Sequence, residues 1–127
     1  MDETEERRLE ALRDAVAALE EAVLAALESE PEGLGEHALL GRLREAGAVG
    51  LPAGPLSDSL VLFQSHFLLF HALYRLRDRL RGEGRADLAF GPLRIALGPY
   101  VPARAGLVDA DPLRDYYLDL ENLLEIG

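Results

Sequence analysis

Residues 60–80, "LVLFQSHFLLFHALYRLRDRL", constrain the fold more than any other part of the chain. As a helix this stretch is about 30 Å long at the standard rise. Leu60, Leu62, Phe63, Phe67, Leu69, Phe70, Leu73, Tyr74 and Leu76 cover most of its circumference. A helix apolar nearly all round is stable in water only when other elements wrap it, so the spacing predicts a central helix with several neighbours. Ser57 or Asp58 is placed to cap its start. Gln64, Ser65, His66 and His71 interrupt the apolar run, which therefore falls short of the ~20 apolar residues of a membrane-spanning helix.

The wrapping elements can be read on either side. Leu9, Leu12, Val16, Leu19, Val23 and Leu27 recur every three or four residues, predicting an amphipathic helix over Glu3–Glu28 with Glu6, Arg13, Glu20 and Glu28 on its polar face. "SEPEG" stops it. A second helix fits "GEHALLGRLREAG", with Leu39, Leu40 and Leu43 inward and Gly47 as its C-terminal cap. "AVGLPAGP" reads as a structured turn between apolar flanks. In residues 87–100 the period changes: Leu88 and Phe90 alternate, and beyond Gly91 and Pro92 so do Leu93, Ile95 and Leu97, predicting two short strands or one bent strand. A loop over 101–110 leads to Asp111 and Pro112, an N-cap and first residue for a last helix that docks through Leu113, Tyr117, Leu120 and Leu124. The expected class is mainly α with a small β element (α+β). All 127 residues form one domain in this reading, residues 1–30 being the N-terminal helix and 31–127 the core.

Composition narrows the partners. Net charge is −10 and all 13 basic residues are arginine, a balance that opposes nucleic acid and anionic membranes, since both require clustered cations. There is no cysteine, which removes disulfides and thiolate chemistry and is compatible with a reducing compartment. The acidic N-terminus lacks the basic and apolar regions of a secretory signal, so the expected location is cytoplasmic.

His66 and His71 are five apart and point about 140° away from each other on a helix, so they do not share a metal in the manner of histidines spaced by four. The wheel places His66 among Leu62, Leu69, Phe70 and Leu73, as a satisfied core or interface imidazole. It aligns His71 with Gln64, Arg75 and Asp78 in one polar stripe, expected to face solvent and to contact a partner. None of Ser29, Ser57, Ser59 and Ser65 lies in a GxSxG elbow. The acidic pairs Asp109/Asp111 and Asp115/Asp119 lack a calcium-loop pattern, and the glycine tracts lack phosphate-cradling motifs. No catalytic residue, metal or cofactor is assigned. Three helices followed by a β element is also the order of a winged helix, so a winged-helix-like nucleic-acid binder stands as an alternative, as does a homodimer built on the first helix. The apolar third helix and the negative charge weigh against the first.

"LSDSLVLFQSHFLLFHALYRLRDRL", "PLRIALGPY" and "DPLRDYYLDLENL" together resemble the DnaJ-related N-terminal domain family of proteobacteria, with "YYLD" at residues 116–119 as its hallmark. The resemblance implies a domain that precedes a J domain, the module that couples to DnaK-type chaperones through a His-Pro-Asp tripeptide. His37, His66 and His71 are followed here by Ala38, Phe67 and Ala72, so the resemblance implies a J domain supplied in cis beyond residue 127 or in trans. The expected function is non-catalytic recruitment of a client or partner protein, with Tyr116, Tyr117 and Asp119 as special positions. Tyr117 belongs to the apolar face, and Tyr116 and Asp119 to a neighbouring one.

Overall fold

A computed structural model describes residues 2–91, 93–102 and 111–125. Helix α1 (Glu3–Glu28) starts at Asp2, whose carboxylate accepts the Glu5 amide at 2.8 Å. Helix α2 (Glu36–Glu45) ends as its sequence indicates: Gly47 adopts φ +70° and the Ala48 amide reaches back to the Leu43 carbonyl, which satisfies an otherwise orphaned carbonyl. Asp58, rather than Ser57, caps the central helix α3 (Ser59–Gly82), accepting from the amides of Leu60 and Val61. The loop after α2 is structured, as expected. Arg44 donates to the carbonyls of Pro52 and Gly54, and Gly50, at φ +101°, lies so close to α1 that a Cβ would sit 2.8 Å from the Ala15 carbonyl oxygen.

Strands β1 (Asp87–Phe90) and β2 (Ile95–Gly98) form a two-stranded antiparallel hairpin, pairing Asp87 with Gly98 and Phe90 with Ile95. Ile95 also exchanges both backbone hydrogen bonds with Leu34. That approach requires Gly33, at φ +87°, because a Cβ there would fall 2.5 Å from the Ile95 carbonyl oxygen. Leu93 does not continue the strand alternation. It lies in the connecting turn and is exposed, because the Gly91 amide bonds to the Arg94 carbonyl and reverses the chain there.

The last helix is two: α4 (Pro112–Leu118), capped by Asp111, and α5 (Glu121–Leu124). The break is at Asp119, which takes an extended backbone (φ −90°, ψ 101°) and accepts the Glu121 amide on its carboxylate. An uninterrupted helix was expected to bury Leu113, Tyr117, Leu120 and Leu124. The break leaves Leu120 buried and Tyr117 partly so, while Leu113 and Leu124 are exposed. The loop expected over 101–110 lies mainly outside the described residues.

One hydrophobic cluster joins Val16, Leu19, Val23 and Leu27 of α1, Leu39, Leu40 and Leu43 of α2, Leu88 and Ile95 of the hairpin, and Leu120, around Phe67, Leu69, Leu73, Leu76 and Leu80 of α3. Each fully buried leucine contributes about 1.5–3 kcal/mol. The protein is thus mostly helical with a small antiparallel hairpin, an α+β arrangement around α3. The order of three helices and a hairpin is that of a winged helix, but α3 is the core of the structure and turns most of its length inward. Among the described residues no helix is long and apolar enough to cross a membrane.

Candidate functional site

Helix α4 runs back along α3, and the seam between them gathers most of the aromatic side chains and two of the three histidines. At its start the Tyr74 hydroxyl donates to the Asp111 carboxylate at 2.5 Å. This bond holds the Asp111 carboxyl below the usual carboxylate range, and burial together with the same bond raises the Tyr74 phenol. Tyr74 and Phe90 meet edge to face, and the Arg77 guanidinium lies over both rings at 4.9 and 4.8 Å. Arg77 is buried, and burial, then the nearby Arg81, lowers its pKa. The rings supply what water no longer does, since their faces attract a desolvated cation.

Farther along, Tyr117 is held by both histidines of α3. His71 donates from Nδ1 to the Tyr117 carbonyl at 2.7 Å, which assigns the proton to Nδ1. Its Nε2 is buried without a partner among the described residues. Burial lowers the His71 pKa, outweighing the carbonyl bond that raises it. At the other end of the tyrosine, the hydroxyl lies 2.8 Å from His66 Nε2, and His66 Nδ1 lies 2.8 Å from Glu36 on α2. The carboxylate takes the Nδ1 proton, so Nε2 accepts from the phenol. Hydroxyl, imidazole and carboxylate are in the order of a nucleophilic triad. Burial, however, raises the Tyr117 pKa, the opposite of nucleophile activation. The chain ties α2, α3 and α4 together.

Beyond this lock the seam opens. A hollow of about 290 Å³ is lined by Phe63, His66, Phe67, Tyr116 and Tyr117. Phe67, its floor, is 1% exposed, whereas the walls Phe63 and Tyr116 are 59% and 46% exposed. Tyr116 packs edge-on against Phe67 at 5.7 Å and Tyr117 at 5.1 Å, and its carbonyl accepts from the Asn122 side chain. Those contacts fix the Tyr116 ring without covering it.

The polar stripe of α3 exists, and within it His71 is buried, Gln64 and Arg75 are half-buried and Asp78 is exposed. His71 is 2% exposed, Arg75 pairs with the buried Glu20 of α1 at 3.0 Å, Asp78 pairs with Arg114 of α4, and Gln64 lines a separate hollow with Leu12, Leu51 and Leu123. His71, Arg75 and Asp78 thus meet polar groups of α1 and α4 within the chain, while Asp78 keeps its access to solvent. Glu20, expected on the polar face of α1, is likewise drawn inward, and burial raises its pKa against the pull of Arg75. The two histidines thus exchange exposure: His71 is the buried one, and His66 is a satisfied interface residue bordering the open hollow. Asp119 is exposed and caps α5. Sequence reasoning passed over Glu36 and Phe63. Glu36 is thirty positions from its imidazole, and no sequence spacing signals such a pair. Phe63 is distinguishable only once its exposure among the described residues is known.

A small helical domain with a hairpin and a C-terminal helix locked onto its central helix is the class defined by this geometry. The family model described as DNA-J related protein matches residues 17–127. The chain belongs to the DnaJ-related family. No curated protein and no solved structure matches it.

Proposed function

We propose that this is a non-catalytic protein-docking domain working in a chaperone setting, and that the aromatic hollow at the open end of the α3–α4 seam is its contact surface. The observation that carries the reading is Phe63 and Tyr116, two large rings left in water beside a closed core, with Tyr116 packed edge-on against the floor of the hollow. Aromatic side chains of this kind supply contact area at little entropic cost and dominate protein interfaces. Membership of the DnaJ-related family supports the chaperone context. A non-catalytic role is supported by the histidines, whose bonds serve to position Tyr117.

The test is a photo-crosslinking residue in place of Phe63 in cells of the source organism, with the same residue in place of exposed Leu93 as reference. Adducts with J proteins, DnaK-type chaperones or their clients, formed from position 63 and lost on Tyr116→Ala, are expected. Identical adduct patterns from the two positions would overturn the reading.

A further inference from the structure

We infer that the hollow receives a cationic side chain, an arginine or lysine from a basic segment of a partner protein, with its aliphatic stem on Phe63 and Tyr116. This rests on the docking reading above and specifies the partner's chemistry. Two independent observations lead to it. The first is charge. Around Tyr116, residues 111–121 carry Asp111, Asp115, Asp119 and Glu121 against Arg114 alone, and Arg114 is paired with Asp78. Asp115 has a side chain 95% exposed, with only a loose 3.8 Å approach to Arg114, and Asp119 is also exposed. Asp115 is the chain neighbour of Tyr116, and Asp119 follows three residues after Tyr116, at the end of α4. An apolar hollow whose exposed wall, Tyr116, belongs to an acidic stretch of chain is complementary to a long cationic side chain, whose stem buries on rings while its head stays near carboxylates.

The second observation is internal. At the other end of the same seam the aromatic pair Tyr74 and Phe90 is covered by Arg77, with carboxylate Asp111 alongside. The fold therefore already contains one aromatic pair beside a carboxylate that holds a guanidinium. The hollow likewise offers two exposed rings, Phe63 and Tyr116, the second on an acidic stretch of chain, and no described arginine lines it. Other occupants fare worse on the same grounds. A symmetric contact between two copies would bring like carboxylates together, and a phosphate backbone or an anionic lipid surface would meet the acidic stretch 111–121 unfavourably.

The experiment uses the full chain, isotope-labelled for aromatic and amide NMR, titrated with a short acetylated peptide of alternating arginine and leucine and with its counterpart carrying glutamine for arginine. Saturable shifts at Phe63, Tyr116 and Asp115 with the arginine peptide are expected, with affinity at least about tenfold above the glutamine peptide and falling as salt is raised. Phe63→Ala and Asp115→Asn should each weaken binding several-fold, and Leu93→Ala should leave it unchanged. Equal binding of both peptides at the hollow would overturn the cationic inference and leave the docking reading standing. Arginine-peptide shifts scattered over the acidic surface and indifferent to Phe63→Ala, or no binding at all, would also overturn the inference, while the docking reading would still be decided by the crosslinks from position 63.

Discussion

The two ends of the α3–α4 seam are built from the same kinds of side chain and behave differently. At one end Tyr74 and Phe90 are covered by Arg77 and tied to the helix cap through Asp111. At the other, Phe63 and Tyr116 flank a floor of Phe67 and remain in water. Between them His66 and His71 grip the hydroxyl and carbonyl of Tyr117. An aromatic pair is therefore part of the scaffold where the chain supplies its own cation, and becomes a surface where it does not. The lock in the middle keeps the open end in shape without closing it.

The sharpest division lies within one turn of α3. Phe67→Ala should cost about 3–5 kcal/mol, as truncation of a buried aromatic does, measured by urea unfolding. A loss below about 1 kcal/mol would show that the floor of the hollow is not core. At the closed end Arg77→Ala should cost about 1–3 kcal/mol, because a desolvated cation–π contact and a buried stem are lost together. If stability is unchanged, the closed end is not held by its arginine.

The lock makes a pH prediction. Burial holds the folded-state pKa of His71 below its unfolded value of about 6.5. Its contribution is complete above that value and is lost as pH falls toward the lower folded-state pKa, since protonation must then charge a buried ring. The melting temperature should drop on acidification below about pH 6.5, and His71→Gln should flatten that drop. An equally steep profile in the variant would remove His71 from the lock. Smaller still, Tyr117→Phe should cost about 1 kcal/mol, the net worth of one hydrogen bond, and should shift the His66 ring resonances. No change in those resonances would contradict the link between hydroxyl and imidazole.

How much of this was legible in the sequence follows from what each signal measures. Helices α1 to α3, the caps at Asp58 and Asp111, the glycine stop at Gly47 and a strand pair in 87–100 depend on local periodicity and backbone chemistry, and all are present. The failures share one cause. A helical wheel tells which residues share a stripe but not what lies opposite it. Gln64, His71, Arg75 and Asp78 do share a stripe, and three of them bind partners within the chain because α1 and α4 present Glu20, the Tyr117 carbonyl and Arg114 to it, which buries His71 and leaves Asp78 exposed. Conversely Phe63 and Leu60 carried an apolar signal and are exposed, because the described residues leave that side of the first turns of α3 largely uncovered. The "YYLD" run was legible as special through its resemblance, and its division of labour required coordinates: Tyr117 inward to the histidines, Tyr116 outward to the hollow, Asp119 at the helix break.

The claim that the open end is a surface and not part of the core is tested most directly by the urea-unfolding free energy of the double variant Phe63→Ala/Tyr116→Ala. The account predicts a loss of less than about 1.5 kcal/mol, because both rings are already about half in water. A loss of about 3 kcal/mol or more, comparable with Phe67→Ala, would make both rings structural and contradict the distinction between the two ends.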